Sequence, residues 1–132
     1  MSKKTTKKNV IIITDGTEHI QKIARLITDA LKDSKVKICP ADKFAGNDLL
    51  PADIFIIGCE NPNPPSFEYL KEFLYHINLV SRKCGLYSIK EKTLKYLRGI
   101  VKDCEAKTSE PLLAANGEIK NSEIKKWLKN II

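Results

Sequence analysis

The sequence predicts an α/β fold in three layers: a five-stranded parallel sheet, order 2-1-3-4-5, with helices on both faces. Three observations carry this. Apolar runs of strand length alternate along the chain with amphipathic helical stretches. Residues 9–13 and 53–58 are apolar almost throughout, as strands buried on both faces must be. Residues 35–39 instead alternate lysine with Val36 and Ile38, which suits an edge. A central first and third strand beside an edge second strand fit that order.

The first strand, Asn9-Val10-Ile11-Ile12-Ile13, runs into the polar turn Thr14-Asp15-Gly16-Thr17. Ile20, Ile23, Ala24, Ile27 and Leu31 then recur at helical spacing, with Lys22, Arg25, Asp29 and Lys32 opposite. Asp15 or Thr17 can cap this helix. Pro40 ends the second strand, and Gly46-Asn47 is expected to break a helical turn within residues 41–50. The third strand leads into residues 59–65, where three prolines within four residues forbid helix. Ser66 is the expected cap of a helix whose inner stripe is Phe67, Leu70, Leu74 and Ile77. Residues 83–89 read as the fourth strand, and Leu94, Leu97 and Val101 line the helix after it. Residues 104–108 are the expected fifth strand, and Glu110-Pro111 and Asn116-Gly117 punctuate the connection that follows. Asn121 or Ser122 is expected to cap the last helix, with Ile124, Trp127, Leu128 and Ile131 inward. Residues 1–8 are expected to form a disordered basic tail, and residues 9–132 a single domain.

At 132 residues, 42% apolar and 30% charged, the chain can bury a core without staples. No apolar run approaches the roughly 20 residues of a membrane span, and no signal-peptide pattern follows the first lysines. The expected location is the cytoplasm, with no membrane partner. The four cysteines contain no C-x-x-C pair, so a zinc ribbon or thioredoxin-like motif is excluded; buried, reduced thiols are expected. His19 and His76 are too dispersed for a metal site. The net charge is +7 and the isoelectric point near 9.2. Lys3, Lys4, Lys7 and Lys8 supply four of those charges. Within residues 82–102, seven cations face only Glu91. That stretch is either a solvated helix face or a docking surface for an acidic partner; nucleic acid is not an expected partner.

In a doubly wound sheet, ligands bind at the carboxyl ends of the strands, where the order reverses between the first and third. Residues 14–19 and 59–66 therefore matter most, with residues 87–92 bordering the same crevice. Thr14 and Thr17 offer hydroxyls there, and the Gly16 and Thr17 amides can form a small anion nest at a helix N-terminus if Asp15 points away. His19 at the helix N-terminus is either solvent-exposed or a hydrogen-bond donor to a ligand phosphate. Cys59 is the thiol closest to the crevice, with a redox or nucleophilic role open to it, and Asn61 is polar in the same loop. Tyr87, with Ser88 beside it, is either buried sheet packing or an aromatic facing the crevice. Several chemistries of this architecture are excluded. A receiver domain needs an aspartate where Gly58-Cys59-Glu60 stands, and a small phosphatase needs Cys-x5-Arg, which is missing. A cysteine phosphotransferase subunit needs a cysteine where Thr14 stands.

From about Asn9 onward, the chain resembles the flavodoxin-like family as a small, divergent member. In that family a Thr/Ser-x-Thr-Gly-x-Thr loop after the first strand holds the phosphate of flavin mononucleotide (FMN), and aromatic residues of later loops sandwich the flavin ring. Ile23-Ala24 matches the family's hydrophobic-Ala pair, which sets Thr17-Glu18-His19-Ile20 against Thr-Gly-x-Thr. Only Thr17 matches. Glu18 replaces the glycine, and a carboxylate about 5 Å from a phosphate charge costs roughly 3 kcal/mol at an effective dielectric near 20. The resemblance implies FMN held by Thr14, Asp15, Gly16, Thr17, His19, Cys59, Asn61, Tyr87 and Ser88, and electron transfer. Family members are usually acidic, so a basic carrier implies an acidic redox partner. The alternative is a cofactor-free binding or regulatory module on the same fold.

Overall fold

The computed structural model describes residues 8–131; of the expected tail, only Lys8 falls among them. The elements are β1 (Asn9–Thr14), α1 (Glu18–Ala30), β2 (Lys35–Pro40), α2 (Gly46–Leu49), β3 (Ile54–Gly58), α3 (Glu68–His76), β4 (Lys83–Ser88), α4 (Glu91–Val101), β5 (Lys107–Thr108), β6 (Leu112–Leu113) and α5 (Asn121–Lys129). The sheet runs β2-β1-β3-β4-β5, with β6 also on β4 and every pair parallel. The expected order stands.

Alternation along the central strands builds the two cores. Ile11, Ile13, Phe55, Ile57 and Leu86 face Leu70 and Leu74 of α3 and Leu94 and Leu97 of α4. Val10, Ile12, Ile54, Ile56 and Tyr87 face the α1 stripe and Ile124, Trp127 and Leu128 of α5. Both sides of β1 and β3 are therefore dry, which is why their sequences carry no polar alternation. Burying one such isoleucine is worth about 2 kcal/mol, so the central strands supply much of the driving force.

The edge beyond β4 differs from expectation. Only Lys107–Thr108 of the expected fifth strand pairs, with Lys83 and Cys84. Leu112 and Leu113 then pair with Tyr87 and Ser88 as β6. Two residues separate these pairs on β4 and three on the edge, so the edge carries one extra residue. Pro111, which has no N–H to donate, lies in that interruption and hid β6 from the sequence. Cys104 sits in a 3-10 turn, Lys102–Cys104, instead of a strand.

Three helix starts also differ. The expected helical turn is present as the 3-10 turn Ala41–Lys43 and ends before Gly46; what differs is that Gly46-Asn47 then begins α2, where the Asp48 carboxylate accepts the Ala45 N–H at 3.0 Å and the Lys37 ammonium at 2.7 Å. Ser66 lies inside the 3-10 turn Pro65–Phe67, and α3 starts after it. Lys120 occupies the N-cap position of α5, its N–H donating to Glu123 at 3.3 Å.

Candidate functional site

β1, β3 and β4 end side by side, with Thr14 opposite Gly58 and Gly58 opposite Tyr87. Their following loops meet over this edge, so the topology does bring the predicted residues together. Their side chains, however, are spent on one another.

Thr14 is fully buried. Its hydroxyl donates to the Gln21 side-chain oxygen at 2.9 Å and accepts the Gly16 N–H at 3.3 Å. It is a strut between β1 and α1, not a ligand donor. Gly16 takes φ +83°, the left-handed conformation that lets the chain reverse into the helix. Asp15 does not point away. One carboxylate oxygen accepts the Thr17 N–H at 3.1 Å and the Thr17 hydroxyl at 2.7 Å. The other accepts the Glu60 N–H across the crevice at 2.9 Å. Thr17 holds the N-cap position of α1 without a side-chain cap bond, its hydroxyl being committed to Asp15. An internal carboxylate thus occupies both Thr17 donors proposed for an anion, while the Thr14 hydroxyl goes to Gln21 and the Gly16 N–H to Thr14.

The second loop is fixed from both sides. While the Glu60 N–H goes to Asp15, its carbonyl accepts the buried Thr93 hydroxyl of α4 at 2.9 Å. The half-exposed His19 ring places Nδ1 3.8 Å from a Glu60 carboxylate oxygen. Cys59 is fully buried, and burial followed by the nearby Asp15 charge pushes its thiol far above the ordinary range. It does not see the crevice, which removes the redox or nucleophilic role. The Cys59 carbonyl instead accepts the Ser88 hydroxyl at 2.7 Å, and Ser88 in turn accepts the Lys90 N–H at 3.2 Å. Ser88 is buried as well, so it is internal wiring. Asn61 is exposed and accepts the Lys90 ammonium.

Tyr87 is not a stacking platform. It is fully buried on the α1/α5 side, its hydroxyl donating to the Ile20 carbonyl at 2.9 Å. Burial chiefly, with Asp15 behind it, pushes the phenol well above its ordinary value, so it stays protonated. The ring crosses Gly58, where an added Cβ would sit 2.3 Å from Cζ. Gly58 is glycine because Tyr87 lies there.

Sequence reasoning missed Gln21, Thr93 and the double anchoring of Glu60. Thr93 left a signal, as a hydroxyl inside the Leu94–Leu97 stripe; Gln21 and the Glu60 backbone left none. Among the described residues, no group of three or more His, Cys, Asp or Glu could hold a metal ion. No helix among them is long and apolar enough to cross a membrane.

No protein-family model matches the chain, and neither does any curated protein. Solved structures do. A short-chain flavodoxin associated with a non-canonical PDU bacterial microcompartment matches with TM-score 0.83 and 13% identity, over 96% of this chain and 97% of that one. The chain has the flavodoxin fold. The flavodoxin of Streptococcus pneumoniae TIGR4 matches with TM-score 0.74 and 18% identity, covering 93% of each chain. Oxidised flavodoxin 2 from Bacillus cereus matches with TM-score 0.76 and 16% identity, over 93% of this chain and 97% of that one.

On this fold the crevice residues do not fit FMN in the expected manner. Asp15 and Glu18 bring two carboxylates to the loop expected to hold the phosphate dianion, and Glu60 brings a third to the neighbouring loop expected to hold the ring. Thr14 and Thr17 have no free hydroxyl hydrogen to offer it. Residues 59–66 contain no aromatic side chain, and Tyr87 is sealed beneath the sheet edge.

Proposed function

We propose that the chain is a cofactor-free binding or regulatory module built on the flavodoxin fold. The observation that carries this reading is the Asp15 carboxylate, which takes the Thr17 N–H, the Thr17 hydroxyl and the Glu60 N–H. An anion entering there must displace a covalently tethered one, against the added repulsion of Glu18. The loops are thereby fixed by their own side chains, and the crevice edge becomes a rigid presenting surface.

The test is a titration of the purified protein with FMN, followed by flavin fluorescence, with riboflavin as a second ligand. Unchanged fluorescence up to high micromolar protein is expected for both. Saturable quenching at low micromolar protein would overturn the reading.

The second reading is an FMN-binding electron carrier served by an acidic redox partner. What favours it is the likeness to flavodoxins over nearly the whole of both chains. A yellow protein that keeps its flavin through gel filtration would establish it in place of the first.

A further inference from the structure

The cation-rich stretch of residues 82–102 resolves into separate roles. The Arg82 guanidinium donates to the Leu49 carbonyl at 3.2 Å and the Ala52 carbonyl at 2.7 Å, tying the α2 loop to β4. Lys83 opens β4 at the opposite end of the sheet from the crevice, and Lys90 is held by Asn61. That leaves Lys92, Lys95, Arg98 and Lys102, all exposed and recurring every three or four residues along α4 and the turn after it. The buried residues of α4 are Thr93, Leu94, Leu97 and Val101, so these cations line its outer side over about 15 Å.

Beside the stripe is a hollow of about 440 Å³, lined by Arg98, Val101, Lys102 and Ser109, with Glu110 at its rim. Val101 gives it an apolar floor. The Ser109 hydroxyl is buried there without a hydrogen-bond partner. Among the described residues, only Arg98 of the four cations has an ion-pair partner, Glu110 at 3.5 Å, and both side chains are mostly exposed.

We propose that this α4 face is a docking surface for an acidic protein segment. Carboxylates of the segment pair with Lys95, Arg98 and Lys102, and one apolar side chain of it enters the hollow. Glu110 acts as an internal competitor for Arg98. Nucleic acid fits less well. Glu91, Asp103, Glu105 and Glu110 flank the cations; a duplex, with a phosphate charge about every 1.7 Å of its axis, must bring some of those charges against them, whereas a peptide can place neutral residues opposite them and carboxylates opposite the cations alone. The inference does not depend on whether the crevice takes a flavin.

The test uses a fluorescein-labelled helical peptide of glutamates with a central leucine, read by anisotropy at low and physiological salt, beside a labelled short DNA duplex. The wild type should bind the peptide with an affinity that falls steeply with salt. Lys95→Glu with Lys102→Glu should weaken binding at least about tenfold. Lys125→Glu with Lys129→Glu, which removes the same charge from α5 on the other side of the sheet, should change it less than about twofold. Glu110→Ala should tighten it by about threefold as Arg98 is freed. Circular dichroism confirms that each variant is folded. Equal losses in the two double variants, no peptide binding at low salt, or tighter binding of the duplex through Lys95 and Lys102 would each overturn the proposal.

Discussion

Two strand-to-helix turns, β1 to α1 and β4 to α4, flank the end of β3 at the carboxyl edge of the sheet. Both are stabilised by a side chain at or next to the strand end that accepts a backbone N–H two residues on. In the first turn it is Asp15, taking the Thr17 N–H. In the second it is Ser88, taking the Lys90 N–H. The first turn carries two carboxylates, Asp15 and Glu18. The second carries two cations, Lys90 and Lys92, around Glu91. The anion at the first turn is the chain's own Asp15 carboxylate, held by Thr17 and the Glu60 N–H.

The strongest way to disturb the comparison is to attack what both turns lean on. Gly58 pairs with Thr14 on one side and Tyr87 on the other. Gly58→Ala places a Cβ 2.3 Å from the Tyr87 ring, which is fully buried and held by its hydroxyl to the Ile20 carbonyl. A loss of about 3 kcal/mol in urea unfolding is expected, with the slope unchanged. Tyr87→Leu in the same chain should recover part of it.

Asp15→Ala breaks the first turn alone. It strands the Thr17 and Glu60 N–H groups and should cost about 2 kcal/mol. Asp15→Asn should fall between, since its carbonyl still serves Thr17 while its amide group faces the Glu60 N–H. Equal losses for Ala and Asn would mean that only the charge matters. Ser88→Ala breaks the second turn and leaves the buried Cys59 carbonyl unpaired, for about 1 kcal/mol. If Ser88→Ala costs more than Asp15→Ala, the anchoring of the crevice lies at the wrong turn in this account.

The smallest effect is a control far from both turns. The Lys37 ammonium, then the Ala45 N–H, holds the Asp48 carboxyl below its ordinary 3.8. A lowered folded pKa means stability that is present above the unfolded value and lost as pH falls through the folded one. Asp48→Asn should lower stability slightly near neutral pH and leave it unchanged at pH values below the folded pKa, so the acid limb of the stability profile flattens. A loss of the same size at every pH would show that the pair does more than close α2.

The architecture was legible because it rests on burial, which periodicity reports directly. The unbroken apolarity of residues 9–13 and 53–58 placed β1 and β3 at the centre, and Lys35 and Lys37 placed β2 at the edge. The site was less legible because it rests on direction. Asp15 reads the same whether its carboxylate turns outward or, as it does, into its own loop. Tyr87 reads as a crevice aromatic until the strand phase sends it under Gly58, and Cys59 reads as a crevice thiol until its burial is known. β6 escaped because Pro111 resembles punctuation when it marks an edge irregularity.

The central claim is that Asp15 stands where a phosphate would, and FMN titration tests it most directly. Wild-type protein should leave FMN fluorescence unchanged to high micromolar concentration, and Asp15→Ser with Glu18→Gly should bind FMN more tightly than wild type does. Low-micromolar, saturable quenching by the wild type, weakened rather than strengthened in that double variant, would contradict it.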